Sequence, residues 1–226
     1  MRVSVVVPAF NEEEAIGEVV RHIPSDLVDE VIVVDNGSTD STAVRAREAG
    51  ATVVSEPRRG YGAACHAGLM ATKKGDVVVF LDGDNSDDPR NLSRLLKPLK
   101  KGEADFVLGS RLSGSQEPGA MSFHARLGNW FVARLMNRVY GLNITDIASF
   151  RAIRRDFLLS FGMEQMTFGW PVEMLVKAAK RRARIKEVPI DYHKRMGTSK
   201  VSGTIKGSLL AGYYMLWIPV RYIIKD

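Results

Sequence analysis

Four short strand-like runs, three of them followed by a segment of helical character, constrain this chain more than any other feature. Residues 2–8 (RVSVVVP) form a β-branched run that reads as a strand buried on both faces in a parallel sheet. Residues 30–34 (EVIVV), 51–55 (ATVVS) and 76–81 (DVVVFL) read as the next three strands. Between the first two, Ile16, Val19, Val20 and Ile23 recur at helical spacing. Asn11 with Glu14 three residues on predicts a capping box for that helix, and Pro24 and Ser25 interrupt it. A second helix opens from Asp35-Asn36-Gly37-Ser38 and stops at Gly50. The glycine-rich turn Arg58-Arg59-Gly60-Tyr61-Gly62 leads into a third that runs to about Thr72. A fifth strand is predicted at 106–108, a helix over 123–140 and a late strand over 185–190. Between Ser113 and Ser122 lies a Gly/Ser/Pro-rich loop long enough to act as a mobile lid. This alternation gives an α/β fold, a Rossmann-like, mostly parallel sheet flanked by helices and joined by right-handed crossovers. No internal repeat, low-complexity segment or linker interrupts it.

In such a sheet ligands bind beyond the carboxyl ends of the strands. Three polar clusters fall there: residues 8–12, 35–38 and 82–84. In Asp82-Gly83-Asp84, two carboxylates are separated by a residue that tolerates unusual backbone angles. Hard cations such as Mg²⁺ take oxygen ligands, commonly one or two carboxylates plus substrate phosphates. A metal held by Asp82 and Asp84 would stabilise a diphosphate as a leaving group. The plainer alternative is a surface turn. Asp35 ends another strand at the same edge, where it can accept from a base or ribose, or simply cap the next helix. Glu12 either meets a nucleotide or favours a helix N-terminus.

With 226 residues, 45% hydrophobic and 26% charged, the chain suits one globular α/β domain. The single cysteine, Cys65, excludes an intramolecular disulfide and fits a reducing compartment. The first ten residues lack the pattern of a signal peptide. Charge is unevenly spread: residues 1–150 carry a net −3 and residues 151–226 a net +9. An acidic first part suits metal binding and a basic second part an anionic partner. Nucleic acid is disfavoured, because no aromatic-interleaved basic stripe or reader motif is present.

Taken together, Val6-Val7-Pro8-Ala9-Phe10-Asn11-Glu12, Asp35-Asn36-Gly37-Ser38-Thr39-Asp40 and Asp82-Gly83-Asp84 resemble glycosyltransferase family two, which has the GT-A fold. The resemblance continues through Gly109-Ser110-Arg111, residues 146–152 (DIASFRA), residues 169–173 (GWPVE) and residues 195–200 (RMGTSK). The later elements look like the branch with dolichyl-phosphate mannose synthase and polyprenyl-phosphate glucosyltransferases. This resemblance implies an inverting, metal-dependent hexosyltransferase using Mg²⁺ or Mn²⁺, a UDP- or GDP-sugar donor and a polyprenyl phosphate acceptor. It implies that Pro8, Phe10, Glu12, Asp35, Gly60, Asp82 and Gly83 line the donor pocket, with Asp84 the direct metal ligand. Arg111 and Arg126 would hold phosphates, and Arg195, Ser199 and Lys200 would close over the diphosphate or the acceptor phosphate. Three departures touch the pattern. Asn36 stands where a second acid is common, Tyr61 where a lysine is common, and Ala148-Ser149-Phe150-Arg151-Ala152 replaces S-G-F-R-A.

A phosphate acceptor is already anionic and needs positive charge more than a base, which Arg111, Arg126, Arg195 and Lys200 would supply. A hydroxyl acceptor needs a general base, for which Glu173 is the candidate, unless it satisfies an arginine instead. The catalytic set expected is therefore Asp82, Asp84, Arg111 and Glu173. Residues 1–204 form the expected catalytic domain and residues 205–226 a basic, apolar C-terminal helix. Residues 208–224 (SLLAGYYMLWIPVRYII) are strongly apolar, but Pro219 and Arg221 argue against a span. That segment is expected to lie on a membrane or pack on the domain, with the basic run 177–186 beside it. The expected place of action is the cytoplasmic face of a membrane. A saccharide or small-molecule acceptor is the alternative within the same chemistry. A nucleotidyltransferase would want a glycine-rich basic loop after the first strand, where this chain has Ala9-Phe10-Asn11-Glu12.

Overall fold

The computed structural model describes residues 1–73, 75–197, 214 and 217–222. Seven strands form one sheet: β1 (Val3–Ala9), β2 (Glu30–Asp35), β3 (Thr52–Ser55), β4 (Val77–Phe80), β5 (Phe106–Ser110), β6 (Arg151–Arg154) and β7 (Ile185–Pro189). Their spatial order is β3-β2-β1-β4-β6-β5-β7. All neighbouring pairs are parallel except those of β6, which runs antiparallel to both β4 and β5. The mostly parallel α/β sheet expected from the sequence is present.

Alternate residues of the strands bury against different helix layers. Val6, Ile32, Val34, Val78 and Phe80 pack with α3 (Tyr61–Ala71), α5 (Phe123–Tyr140) and α7 (Trp170–Lys180). Val5, Val7, Val33, Val77 and Val79 pack with α1 (Ile16–His22), α2 (Thr42–Glu48) and α4 (Leu92–Lys100). A short α6 (Arg155–Leu159) follows β6. Helix α3 lies so close to the sheet that a Cβ at Gly68 would come 2.3 Å from Val6 Cγ1. Only glycine fits there.

Chain order reverses at β1. The chain builds outward through β2 and β3, then returns to place β4 on the other side of β1. The crevice beyond β1 and β4 is thus the switch point of the sheet. It receives both residues 10–12 and residues 82–84.

Three local expectations change. Asn11 does not cap α1: the helix starts at Ile16 with no side-chain cap, and Asn11 takes a positive φ of 52°. Its Oδ1 instead accepts from the Thr39 amide at 2.8 Å, tying the loop after β1 to the loop after β2. The second helix begins at Thr42, later than Ser38, because residues 36–41 form the loop that faces the crevice. The loop over 113–122 is partly pinned. Tyr192 donates its amide to Ser115 O at 2.8 Å, and Glu117 donates its amide to Tyr192 O at 2.9 Å.

Two described elements of the C-terminal segment settle into the domain. Ile218 is fully buried and Tyr222 nearly so, both in the core with Trp170. Tyr140 Oη donates to Pro219 O at 2.6 Å, and Lys180 Nζ to Tyr222 O at 2.7 Å. Of the two placements expected for this segment, residues 218–222 follow the one that packs on the domain. No helix among the described residues is long and apolar enough to cross a membrane.

Candidate active site

Strand β4 ends at Phe80, and Asp82, Gly83 and Asp84 follow at its carboxyl end. Both oxygens of Asp82 are engaged. Tyr61 Oη donates to Oδ1 at 3.1 Å, and Ser149 Oγ donates to Oδ2 at 2.7 Å. Burial raises the Asp82 pKa, Asp84 raises it further, and these two hydroxyls pull against the rise. Asp84 Oδ1 accepts from the amide and hydroxyl of Ser86 at 3.0 and 2.6 Å. Its Oδ2 faces Arg195 Nη1 at 3.4 Å. The other terminal nitrogen of Arg195 reaches Glu12 Oε1 at 3.1 Å. One guanidinium thus bridges the end of β1 to the end of β4. The segment that carries it is held in place, since Met196 donates its amide to Asp84 O at 2.9 Å and His193 to Ser86 O at 2.8 Å.

A third carboxylate stands beside this pair. Asp87 is buried, its Oδ1 has no hydrogen-bond partner among the described residues, and its Oδ2 lies 3.4 Å from Ser149 Oγ. Burial pushes Asp87 up to about 8; Arg111 opposes that rise, while Asp82, Asp84 and Asp146 add to it. Two carboxylates at the end of β4 with a buried third beside them suit a hard divalent cation. Among the described residues no group of three or more His, Cys, Asp or Glu side chains closes a cage of its own. A cation here would therefore draw further oxygens from a bound diphosphate, and the donor set fits that demand.

The nucleotide side of the crevice is built by loops after β1, β2 and β3. Asp35 Oδ1 accepts from the Ser38 amide at 3.0 Å and so closes a turn; it does not cap the next helix, which starts at Thr42 after Ser41. Asn36 is a clamp. Its Nδ2 donates to Glu56 O at 2.9 Å and Arg58 O at 2.7 Å, and its Oδ1 accepts from the Gly60 amide at 2.8 Å. An acid at position 36 could not donate to either carbonyl. Gly60 has φ 149°, and a Cβ there would meet Met166 O at 2.2 Å. That close approach brings Tyr61, the first residue of α3, over Asp82. Arg59 lies across the ring of Phe10, its Cζ 3.6 Å from the centroid.

On the opposite side, Arg111 follows β5 and is largely buried. Its Nε and Nη2 donate to the two oxygens of Asp146 at 2.8 and 2.7 Å, a bidentate pair. Asn129 Nδ2 donates to the same carboxylate. Glu187 receives the Thr145 and Asp146 amides and so fixes the Asp146 loop. Arg111 also lies over the ring of Tyr192 at 5.2 Å, and its charge reaches Asp87 and Asp82. Arg126 is exposed, and its Nη2 donates to Gln116 Oε1 at 3.0 Å; Gln116 in turn donates to Arg111 O at 2.6 Å. Ser199 and Lys200 lie outside the described residues.

Glu173 does not stand as a free base. It is fully buried in α7, where Lys177 Nζ lies at 2.7 Å and Tyr222 Oη donates at 2.6 Å. The amides of Glu164 and Gln165 donate to it as well. It satisfies a lysine and a tyrosine, not an arginine, and it ties the C-terminal segment to the domain. The basic run is similarly occupied. Arg184 pairs with Asp105 at 2.7 Å, Lys186 with Glu103 at 2.7 Å, and Arg181 Nη2 donates to Ser160 O. These basic side chains are thus engaged within the domain, though Arg184 and Lys186 keep about half of their surface exposed.

Arg151 joins these layers. It is buried and donates to the carbonyls of Ser149, Pro171 and Ala148, and so holds the loop that presents Ser149 to Asp82. Sequence reasoning quoted Ser149 and Asp146 only inside a motif and passed over Asp87 and Tyr192. A hydroxyl and an acid between two apolar strands, as in Asp146-Ile147-Ala148-Ser149-Phe150, are the signal that would have found the first two.

The family model described as glycosyl transferase family 2 matches residues 4–161. A glycosyltransferase of Mycobacterium tuberculosis, named as uncharacterized, is 41% identical over 212 residues, covering 92% of this chain and 94% of that protein. The dolichyl-phosphate hexose transferase of Haloferax volcanii is 35% identical over 210 residues, covering 92% and 90%. Among solved structures, glucosyl-3-phosphoglycerate synthase of Mycobacterium tuberculosis with Mn²⁺, UDP-glucose and phosphoglyceric acid superposes with a TM-score of 0.76 at 29% identity, covering 97% of this chain and 80% of that one. The same synthase is also known with Mg²⁺ and UDP, at a TM-score of 0.77.

Proposed function

The chain belongs to glycosyl transferase family 2, and from that premise we propose that it transfers a hexose from a UDP- or GDP-sugar to a polyprenyl phosphate. That it is a glycosyltransferase of GT-A fold follows from the family and the sheet; the acceptor and the site roles are our reading. The observation that carries the acceptor is the buried, bidentately held Arg111, whose charge is felt at Asp82 and Asp87 on the far side of the crevice from Phe10. A guanidinium fixed in that way suits a phosphate. The likeness to a dolichyl-phosphate hexose transferase supports the same reading.

In this reading Pro8, Phe10, Glu12, Asp35 and Gly60 line the base and ribose end, with Asp82 and Gly83 beneath the sugar. Asp84, aided by Asp82, would hold Mg²⁺ or Mn²⁺, which supplies Lewis-acid stabilisation to the leaving diphosphate. Arg195 sits over Asp84 and Glu12 and closes the donor side with a positive charge. Arg111 orients the acceptor phosphate, whose oxygen attacks the anomeric carbon as the bond to the diphosphate breaks. Arg126 extends the positive path outward through Gln116. No proton has to be removed from the nucleophile, which agrees with the commitment of Glu173 elsewhere. Residues 1–204 act as the catalytic domain and residues 205–226 as an appended segment.

One observation favours a second reading. The solved neighbour is a synthase bound to UDP-glucose and phosphoglyceric acid. A small phosphorylated hydroxyl acceptor would present its phosphate to Arg111 and its hydroxyl to the sugar. Diphosphate release decides between them, measured over a panel of UDP- and GDP-sugars with Mg²⁺ or Mn²⁺. Release with a polyprenyl phosphate and none with phosphoglyceric acid is the expected result. The reverse pattern would overturn the lipid acceptor.

A further inference from the structure

We propose that the outer face of α5 is a docking surface for an anionic lipid bilayer. Phe123, Leu127, Trp130 and Phe131 are 73%, 52%, 51% and 52% exposed. With Arg134 and Arg138 they fall within about 100° of arc at 3.6 residues per turn. The inner face is separate: Asn129, Val132, Ala133 and Met136 are buried in the domain. An apolar stripe of this size on an exposed helix marks an interaction surface.

Its composition selects the occupant. Helix α5 carries Arg126, Arg134 and Arg138 and no acidic residue. Arg134 lies over the ring of Trp130, its Cζ 5.8 Å from the centroid. Aromatic side chains at one end of the stripe and arginines at the other form the interfacial pattern, in which rings enter the headgroup boundary and guanidinium groups meet lipid phosphates. An anionic bilayer is the occupant that this charge complements, because the arginines of the helix have no acidic residue beside them to neutralise them within it. The location agrees. Arg126, in the first turns of α5, connects through Gln116 to Arg111. A helix lying on a bilayer here would bring a membrane-held phosphate to the edge of the site. That purpose rests on the polyprenyl-phosphate reading, but the surface itself does not.

The test separates the two. Flotation of the full chain with vesicles of phosphatidylglycerol and phosphatidylcholine, free of polyprenyl phosphate, reads the surface alone. Wild type should float with the anionic vesicles and far less with pure phosphatidylcholine. The triple variant Phe123→Ser, Leu127→Ser, Trp130→Ser should lose binding by at least about tenfold. Arg134→Glu with Arg138→Glu should lose about fivefold or more per charge. Circular dichroism of both should match wild type, since Phe123, Leu127 and Trp130 are at least half exposed and Arg134 and Arg138 are exposed. Undiminished flotation of both variants would overturn the proposal. So would a wild-type dimer that becomes a monomer in the triple variant with no vesicle binding by either, which would assign the face to a second copy. Transfer to polyprenyl phosphate is then measured in detergent micelles and in vesicles. Loss in vesicles alone supports the docking role, whereas no transfer in either, by a protein that floats normally, faults the acceptor and leaves the surface standing.

Discussion

Tyr61 donates its hydroxyl to Asp82 Oδ1 at 3.1 Å, so the first residue of α3 fixes a carboxylate at the end of β4. Asp82 has one oxygen for Tyr61 and the other for Ser149, and neither is left to wander. Tyr61→Phe removes one hydrogen bond to a charged group, worth about 1.5–3 kcal/mol. We expect kcat to fall by about tenfold or more with the fold unchanged. Steady-state kinetics with saturating donor checks it; an unaltered kcat would mean that Ser149 alone orients Asp82.

Asp84→Ala should abolish metal-dependent transfer. Its Oδ2 points at the crevice, while Oδ1 is spent on Ser86. The Asp84 side chain is only 13% exposed and Ser86 is buried, so the variant also leaves two Ser86 donors without their acceptor, and the melting temperature should fall by a few degrees while the fold persists. Activity titrated against Mg²⁺ and Mn²⁺ measures the effect. Full turnover in the variant would remove Asp84 from the metal site.

Arg59 covers the Phe10 ring at the mouth of the donor pocket. A stacked guanidinium at a partly exposed site contributes about 0.5–2 kcal/mol. Arg59→Ala should raise the KM for donor by about twofold to thirtyfold and leave kcat nearly constant, the signature of lost uniform binding. A matched fall in kcat instead would place Arg59 at the reacting atoms.

Much of the fold was legible because β-branched runs and glycine turns are local signals. The strands at residues 2–8, 30–34 and 51–55 and the helix over 123–140 correspond closely to β1, β2, β3 and α5. Elements whose identity depends on distant partners were not assigned. Strand β6 is four residues, Arg-Ala-Ile-Arg, and is a strand because it slots between β4 and β5. Asn11 looked like a helix cap because Asn and a following Glu fit that pattern, yet the Thr39 amide won its side chain across 28 residues. The polar clusters at strand ends pointed to the crevice. What they could not give was which oxygen each partner takes, since Ser149 reaches Asp82 only after the chain has passed through α5 and turned toward β6.

Asp146 and Arg111 make acid stability readable. Burial alone would raise the Asp146 pKa, but attraction and hydrogen bonds from Arg111, with a bond from Asn129, hold it below the ordinary 3.8. The folded value is therefore lower than the unfolded one. The pair's contribution is complete above the ordinary carboxylate range and is lost as pH falls through 3.8 toward the depressed folded value. Asp146→Ala leaves Arg111 buried and unpaired, at a cost of about 3–5 kcal/mol at neutral pH. Urea melts of wild type and variant from pH 7 down to about 3 should converge as the acid limb is reached. Parallel curves would show that the pair adds no pH-dependent stability.

Glu173 offers the sharpest separation of structure from chemistry. Its carboxylate holds Lys177 at 2.7 Å and the hydroxyl of Tyr222 at 2.6 Å, and it receives two loop amides. Glu173→Gln keeps the shape and removes the charge, which strands a nearly buried ammonium. We expect a loss of about 3 kcal/mol and a fall in melting temperature of roughly 6–12 °C. Activity per folded molecule, measured well below that transition, should stay within about twofold of wild type, because no substrate proton passes through this group. A general base would behave in the opposite way, with kcat collapsing by about a hundredfold or more and a pH–rate profile that loses its acidic limb. The two outcomes differ in which measurement moves, so a single variant decides whether position 173 anchors the C-terminal segment or takes part in the transfer.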